Sequence, residues 1–261
     1  NKSVIIVPTI ASTDAPCSGC AVTYTKEGVF ENVFYQKLNP SIVLVDVEII
    51  SKAPSRFLVA GMGDALATWF EAKSCYDNGS LNECGGLCSL TGLNLAKLCY
   101  DVLLNDGLKA KLDIESGIIT KAVHNIIEAN ILLSGIGFES GGLASAHAIH
   151  NGLTALPETH SFYHGEKVAF GLLTGLHLNN HSPKEIKEVY DFCLSIGLPI
   201  CLADIGINNP SQEKIMLVAK KSTEIGSSIH HEKNKITAEM VYEAIINADN
   251  YGKNMLRTKS E

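Results

Sequence analysis

The chain has 261 residues, 46 % of them hydrophobic, with 21 basic against 28 acidic side chains and a formal charge of −7. That is enough apolar material to bury a sizeable core, so a globular protein is expected and disorder is excluded. The acidic balance and the lack of a long basic run argue against nucleic acid and membrane surfaces as partners, and no uncharged apolar stretch of about 18 residues suggests a membrane span.

The first residue is Asn, which points to a fragment or a trimmed product, and NKSVIIVPTI lacks the long apolar core of an export signal. A soluble, cytoplasmic protein is expected. Eight cysteines, at positions 17, 20, 75, 84, 88, 99, 193 and 201, read as free thiols in a reducing compartment. Cys17-Ser-Gly-Cys20 forms a C-x-x-C. No second one completes a zinc ribbon, and no long helical pattern follows it as in a thioredoxin-type site, so the spacing reads as chance.

Along the chain, SVIIVPTIAS and SIVLVDVEII read as buried strands, while CAVTYT and FENVFYQ flank a Lys-Glu-Gly turn as a hairpin would. Two strands and a hairpin bury too little to stand alone. Residues 1–52 are therefore expected to be the C-terminal remnant of a larger α/β domain. After Pro54 the texture becomes helical, and residues 53–261 read as an all-helical domain. Ser182-Pro-Lys-Glu185 is a capping box with proline at the first helical position, and Gly197 closes that helix. Ser211 and Thr237 open two more, each expected to run into a glycine.

SRFLVAGMGDALATWFEA is an apolar helix in which Asp64 is the only charge between Arg56 and Glu71. A carboxylate buried there needs a cation or hydrogen-bond donors. SGGLASAHAIHNGL, residues 140–153, reads as another buried helix and carries His147 and His150 one turn apart. His164 opens the helix that follows FY. One carboxylate and two neutral imidazoles from Asp64, His147 and His164 make a plausible zinc set with an open position. Three unrelated, satisfied polar groups explain the same residues. His124, His160, His177, His181, His230 and His231 read as surface or loop residues, and Phe57, Trp69 and Phe70 as core.

PTIASTDAPCS, FLVAGMGDALATWFEA, LLSGIGFESGGLASAHAIHNGLT and HGEKVAFGLL resemble the segments that identify the glycerol dehydrogenase family of the iron-containing alcohol dehydrogenase superfamily. The similarity runs on through EVYDFCLSIGLPICLADIGI to the C-terminal helix. It implies a mainly α fold of the dehydroquinate synthase-like type, with an all-helical domain after the remnant of a Rossmann-like NAD-binding domain. It also implies NAD-dependent oxidation of glycerol at C2 to dihydroxyacetone, extending to related vicinal diols, by a homo-oligomer.

In the family an aspartate and two histidines hold the metal and meet the substrate, and they fall on Asp64, His147 and His164. Iron-dependent relatives place a further histidine where Thr68 stands, which favours zinc. Family residues near the nicotinamide and ribose match Thr9, Ser12, Ser18, Cys20, Val22 and Tyr24. Asp14 matches the aspartate beside the glycerol hydroxyls, where it would fix which carbon faces the ring. His150 is a candidate to relay the departing proton or to orient a ligand, although a hydrogen-bonded structural histidine explains it as well. The family's glycine-rich phosphate loop has no counterpart, since Gly85-Gly86 and Gly141-Gly142 lie in the helical region. Two expectations follow: a dehydrogenase, or a truncated zinc-binding helical domain that serves as a structural partner.

Overall fold

Among the described residues there are four strands: β1 (Ile5–Ile6) pairs in parallel with β4 (Ile42–Val43), and β2 (Cys20–Tyr24) pairs antiparallel with β3 (Phe30–Tyr35). The hairpin is the expected one, and Gly28, at φ 84°, supplies the left-handed residue its turn requires. The computed structural model describes residues 3–260. The two strands expected to be buried are not: Ile5 is 58 % and Ile42 52 % exposed. Each pairs over only two residues, and only one side of the pair meets the helices: Val43 is half-buried and packs against the helical core. The end of SIVLVDVEII is a short helix, α1 (Val47–Ser51). Asp46 caps it by accepting from the Ile49 amide at 3.1 Å, a local bond that competes with continuing the strand.

From Ser55 onward the described chain is helical apart from its connections, so the fold is mainly α as expected. Helix α2 (Ser55–Asn78) is buried nearly all round from Leu58 to Ala72, as a helix apolar on every face must be. Around it pack α3 (Leu90–Glu115), α5 (Ser134–Gly141) and α7 (His164–Leu178). Between α4 (Lys121–Glu128) and α5 lies one π-helical turn, Ala129–Leu133. A second core gathers Ile149 and Leu153 of α6 (Ser145–Leu153) with Val218 of α9 (Gln212–Ser222) and Ile245 of α10 (Ala238–Ser260). Helix α8 (Pro183–Ile196) carries the expected capping box and ends at Gly197, φ 83°.

Three expectations about glycine need correction. SGGLASAHAIHNGL is not one helix, because Gly142, at φ 106°, breaks the chain between α5 and α6. Gly85-Gly86 lies in the connection between α2 and α3. Gly252 does not stop α10 but sits inside it, where a Cβ would come 1.9 Å from the Ile200 carbonyl oxygen, so it admits a close approach instead of ending a helix. The contact that matters most for the site joins α2 and α7. A Cβ on Gly165 would lie 1.8 Å from the Ala60 carbonyl oxygen, and one on Gly63 would lie 2.4 Å from that of Gly165. The two backbones touch, which brings Asp64, next to Gly63, against His164, next to Gly165. Among the described residues no helix is long and apolar enough to cross a membrane.

Candidate metal centre

Asp64, on the buried face of α2, directs Oδ1 at two imidazoles: His147 Nε2 at 3.4 Å and His164 Nε2 at 3.2 Å. The three ligand atoms lie within 4.8 Å of one another. Asp64 Oδ1 is fully buried and receives no hydrogen bond. Burial by itself would raise the Asp64 carboxyl, but His164 and His147 hold it well below the usual carboxylate range.

The far side of each imidazole explains why its Nε2 is available. His147 Nδ1 lies 2.6 Å from Glu71 Oε2, so it carries the proton and leaves a lone pair on Nε2. Glu71 Oε1 also accepts from the amides of Ala144 at 2.9 Å and His147 at 3.0 Å, the first free donors of α6. His164 Nδ1 lies 3.0 Å from His150 Nε2, and His150 Nδ1 lies 3.0 Å from Asn151 Oδ1. An amide oxygen only accepts, so His150 donates from Nδ1 and accepts at Nε2 from His164. Burial, then the adjacent His164, push His150 well below the ordinary imidazole value, in keeping with that neutral role. With both rings neutral, the two chains of hydrogen bonds thus end in an Nε2 lone pair aimed at Asp64 Oδ1. Three lone pairs converging in a buried place are satisfied by a shared cation or by protons, and the donor set suits zinc or a similar divalent metal.

The centre opens on a cleft of about 540 Å³. His147, His164 and Asp14 line its floor, and Ser12, Ser18, Cys20, Val22 and Tyr24 line the wall built by the hairpin and the loop before it. Two bonds tie the hairpin to the connections of the helical region: Tyr35 donates to Glu83 Oε2 at 2.6 Å between α2 and α3, and the Phe30 amide donates to Thr154 Oγ1 at 2.9 Å just after α6. Asp14 is buried; its amide donates to Asp64 Oδ2 at 3.4 Å, and its Oδ2 accepts from Ser134 at 2.6 Å. Burial, then the charge of Asp64, push the Asp14 carboxyl well up.

Of the residues singled out in the sequence, Thr9 is exposed and outside the cleft lining, and His150 sits behind His164 instead of facing the cleft. Cys17 and Cys20 are both free. Burial, then Glu83 and Glu139, push the Cys20 thiol up to about 12, far from the reactive thiolate of a redox pair. His231, expected as a surface or loop residue, is half-buried, with Nδ1 2.7 Å from the Leu143 carbonyl oxygen. Glu71 and Glu232 escaped the sequence reading. Glu232, in the segment after α9, is 4 % exposed and accepts from the Ser145 amide at 3.1 Å, so two distant carboxylates serve the start of α6. Glu71 was detectable: it lies two turns after Asp64 on the same apolar helix.

No family model matches the chain. It is 54 % identical to a glycerol dehydrogenase of Thermotoga maritima over 252 residues, which is 97 % of this chain and 69 % of that protein. The crystal structure of a probable glycerol dehydrogenase from Sinorhizobium meliloti superposes with a TM-score of 0.95 at 47 % identity, over 97 % of this chain and 71 % of that one. An iron-containing alcohol dehydrogenase of Thermotoga maritima, 17 % identical with a TM-score of 0.73 over 95 % of this chain and 64 % of that one, shares the fold alone.

Proposed function

The chain belongs to the glycerol dehydrogenase family, and from that premise we propose that it oxidises glycerol at C2 to dihydroxyacetone, with NAD as hydride acceptor and zinc held by Asp64, His147 and His164. As a member of the family it is an oxidoreductase acting on polyols. The observation that carries the finer reading is the convergence of the orphaned Asp64 Oδ1 with two Nε2 atoms on the floor of the cleft. When bound, the cation would acidify an alcohol, and NAD would take the hydride from its carbon.

The chain's own residues do the rest. Glu71 holds the His147 ring by its Nδ1 proton, and the Asn151–His150 pair holds His164 in the same way, so neither ring has to turn before a metal binds. His150 is thus proposed as a positioning residue. Asp14 stands beside the two histidines with a carboxylate able to accept from a neighbouring hydroxyl, which would fix the carbon presented for oxidation. Ser12, Ser18, Cys20, Val22 and Tyr24 form the wall against which the nicotinamide and ribose are proposed to lie; Thr9 lies off that wall. Zinc over iron is supported by Thr68, whose hydroxyl is engaged with Ser134 at 2.8 Å. In the same reading residues 1–52 border the cofactor, residues 53–261 carry the metal, and the enzyme is a cytoplasmic homo-oligomer, as the family resemblance implies.

The test is glycerol-dependent formation of NADH by the native protein before and after dialysis against a chelator. Activity is expected to vanish on dialysis and to return with zinc. Undiminished activity in protein free of metal would overturn the reading.

A further inference from the structure

Behind Asp14 lies a pair of hydroxyls with no part yet in the proposed chemistry. Ser134 donates to Asp14 Oδ2 at 2.6 Å, and Thr68 lies 2.8 Å from the Ser134 hydroxyl. Both are wholly buried. With Asp14 ionised, the single Ser134 proton goes to its carboxylate, so Thr68 donates to Ser134 and the relay runs from Thr68 through Ser134 to Asp14. Asp14 Oδ1 receives no protein hydrogen bond among the described residues, which leaves it for a group in the cleft.

The backbone that presents Ser134 is the π-helical turn Ala129–Leu133, closed by the Ser134 amide donating to the Ala129 carbonyl. Such turns are rare inside helices and recur at functional sites. Here the same turn carries Asn130, which donates to the carbonyls of Ala11 at 2.9 Å and Leu58 at 3.0 Å. Asn130 and Ser134 therefore grip the 11–14 loop at both ends. Gly135 lets the helix approach that loop so closely that a Cβ would fall 2.9 Å from Cys17 Cβ and 3.0 Å from the Asp14 carbonyl oxygen. The loop is thus held at both ends, and the Asp14 carboxylate with it.

We propose that Ser134, backed by Thr68, is a positioning residue that sets the Asp14 carboxylate and so makes the enzyme demand a second hydroxyl beside the one it oxidises. The role rests on the polyol oxidation proposed above. Without the relay, Asp14 would still lie in the cleft but would no longer be held to meet the neighbouring hydroxyl. Oxidation of a simple secondary alcohol would then suffer little, while that of a vicinal diol would lose its advantage.

The experiment compares 1,2-propanediol with 2-propanol, which share the reacting carbinol and differ by one hydroxyl. It uses the full-length native protein and its Ser134→Ala, Thr68→Val and Thr68→Ser variants. A hydrogen bond to a charged group lost from the relay should narrow the ratio of the two kcat/KM values about tenfold in Ser134→Ala. The change should appear mainly in KM for the diol, with calorimetric diol binding weakened to match. Thr68→Val should follow in the same direction, and Thr68→Ser, which keeps the hydroxyl, should retain the ratio. All four proteins should hold the same amount of metal. Unchanged ratios in Ser134→Ala and Thr68→Val would overturn the role of Ser134 alone, and so would loss of metal from both, since the pair would then be supporting the metal centre. A wild type with no preference for the diol would instead overturn the polyol reading on which the role rests.

Discussion

Asp64 and His147 stood out in the sequence because each is a polar group set among residues that can only be buried. Glu71 obeys the same logic, yet it passed for the polar end of an apolar run because α2 continues beyond it to Asn78. Its position, with Oε2 2.6 Å from His147 Nδ1 and Oε1 on the amides of Ala144 and His147, makes it the carboxylate that fixes the His147 ring. Glu71→Gln is expected to weaken zinc binding about 10–100-fold in chelator competition while leaving the far-ultraviolet spectrum unchanged. Equal affinities in the variant and the wild type would show that His147 needs no such support. His150 was open to two readings in the sequence, because no spacing rule says that a residue of α6 meets the first residue of α7. Only the fold reveals its bond to His164.

At the scale of elements, the helix starts at Ser182 and Ser211 were legible because capping is local chemistry within four residues. The break at Gly142, the π-helical turn at Ala129–Leu133 and the uninterrupted course of α10 past Gly252 were not, because each depends on a partner far away in the chain. The same is true of the contact that builds the site, where α7 lies on α2 with Gly165 against the Ala60 carbonyl. Gly165→Ala would have to separate the two backbones. The expected cost is about 1–3 kcal/mol or more in denaturant unfolding, together with loss of metal, as His164 is carried away from Asp64. Wild-type stability with full metal content would mean that the helices can part without harm to the site.

For the molecule as a whole, the strand pair β1–β4 shows where sequence pattern misleads: β-branched runs announce a buried strand, but full burial needs a layer on both faces, and here Val43 packs against the helical core while Ile5 and Ile42 stay exposed. The chain spans 69 % of the length of the Thermotoga maritima relative. Charge at the centre sets a global dependence on pH. Burial would lower His147, but Glu71 and Asp64 outweigh it and raise it well above the ordinary imidazole value. A raised folded value gives stability that is fully present below about pH 6.5 and is lost as pH rises through the folded value. Metal binding must displace that proton, so it runs the other way. The melting temperature of the metal-free protein should therefore fall as pH rises above neutral, while the increment produced by added zinc grows. Parallel slopes with and without zinc would contradict the placement of His147 between two carboxylates.

If Asp64, His147 and His164 form one cation site, the metal content of the purified wild type beside Asp64→Asn, with circular dichroism on both, reveals it. One equivalent of zinc in the wild type and none in the variant, at equal helical content, is the result this arrangement of ligands predicts. Stoichiometric zinc in a folded Asp64→Asn protein would contradict it.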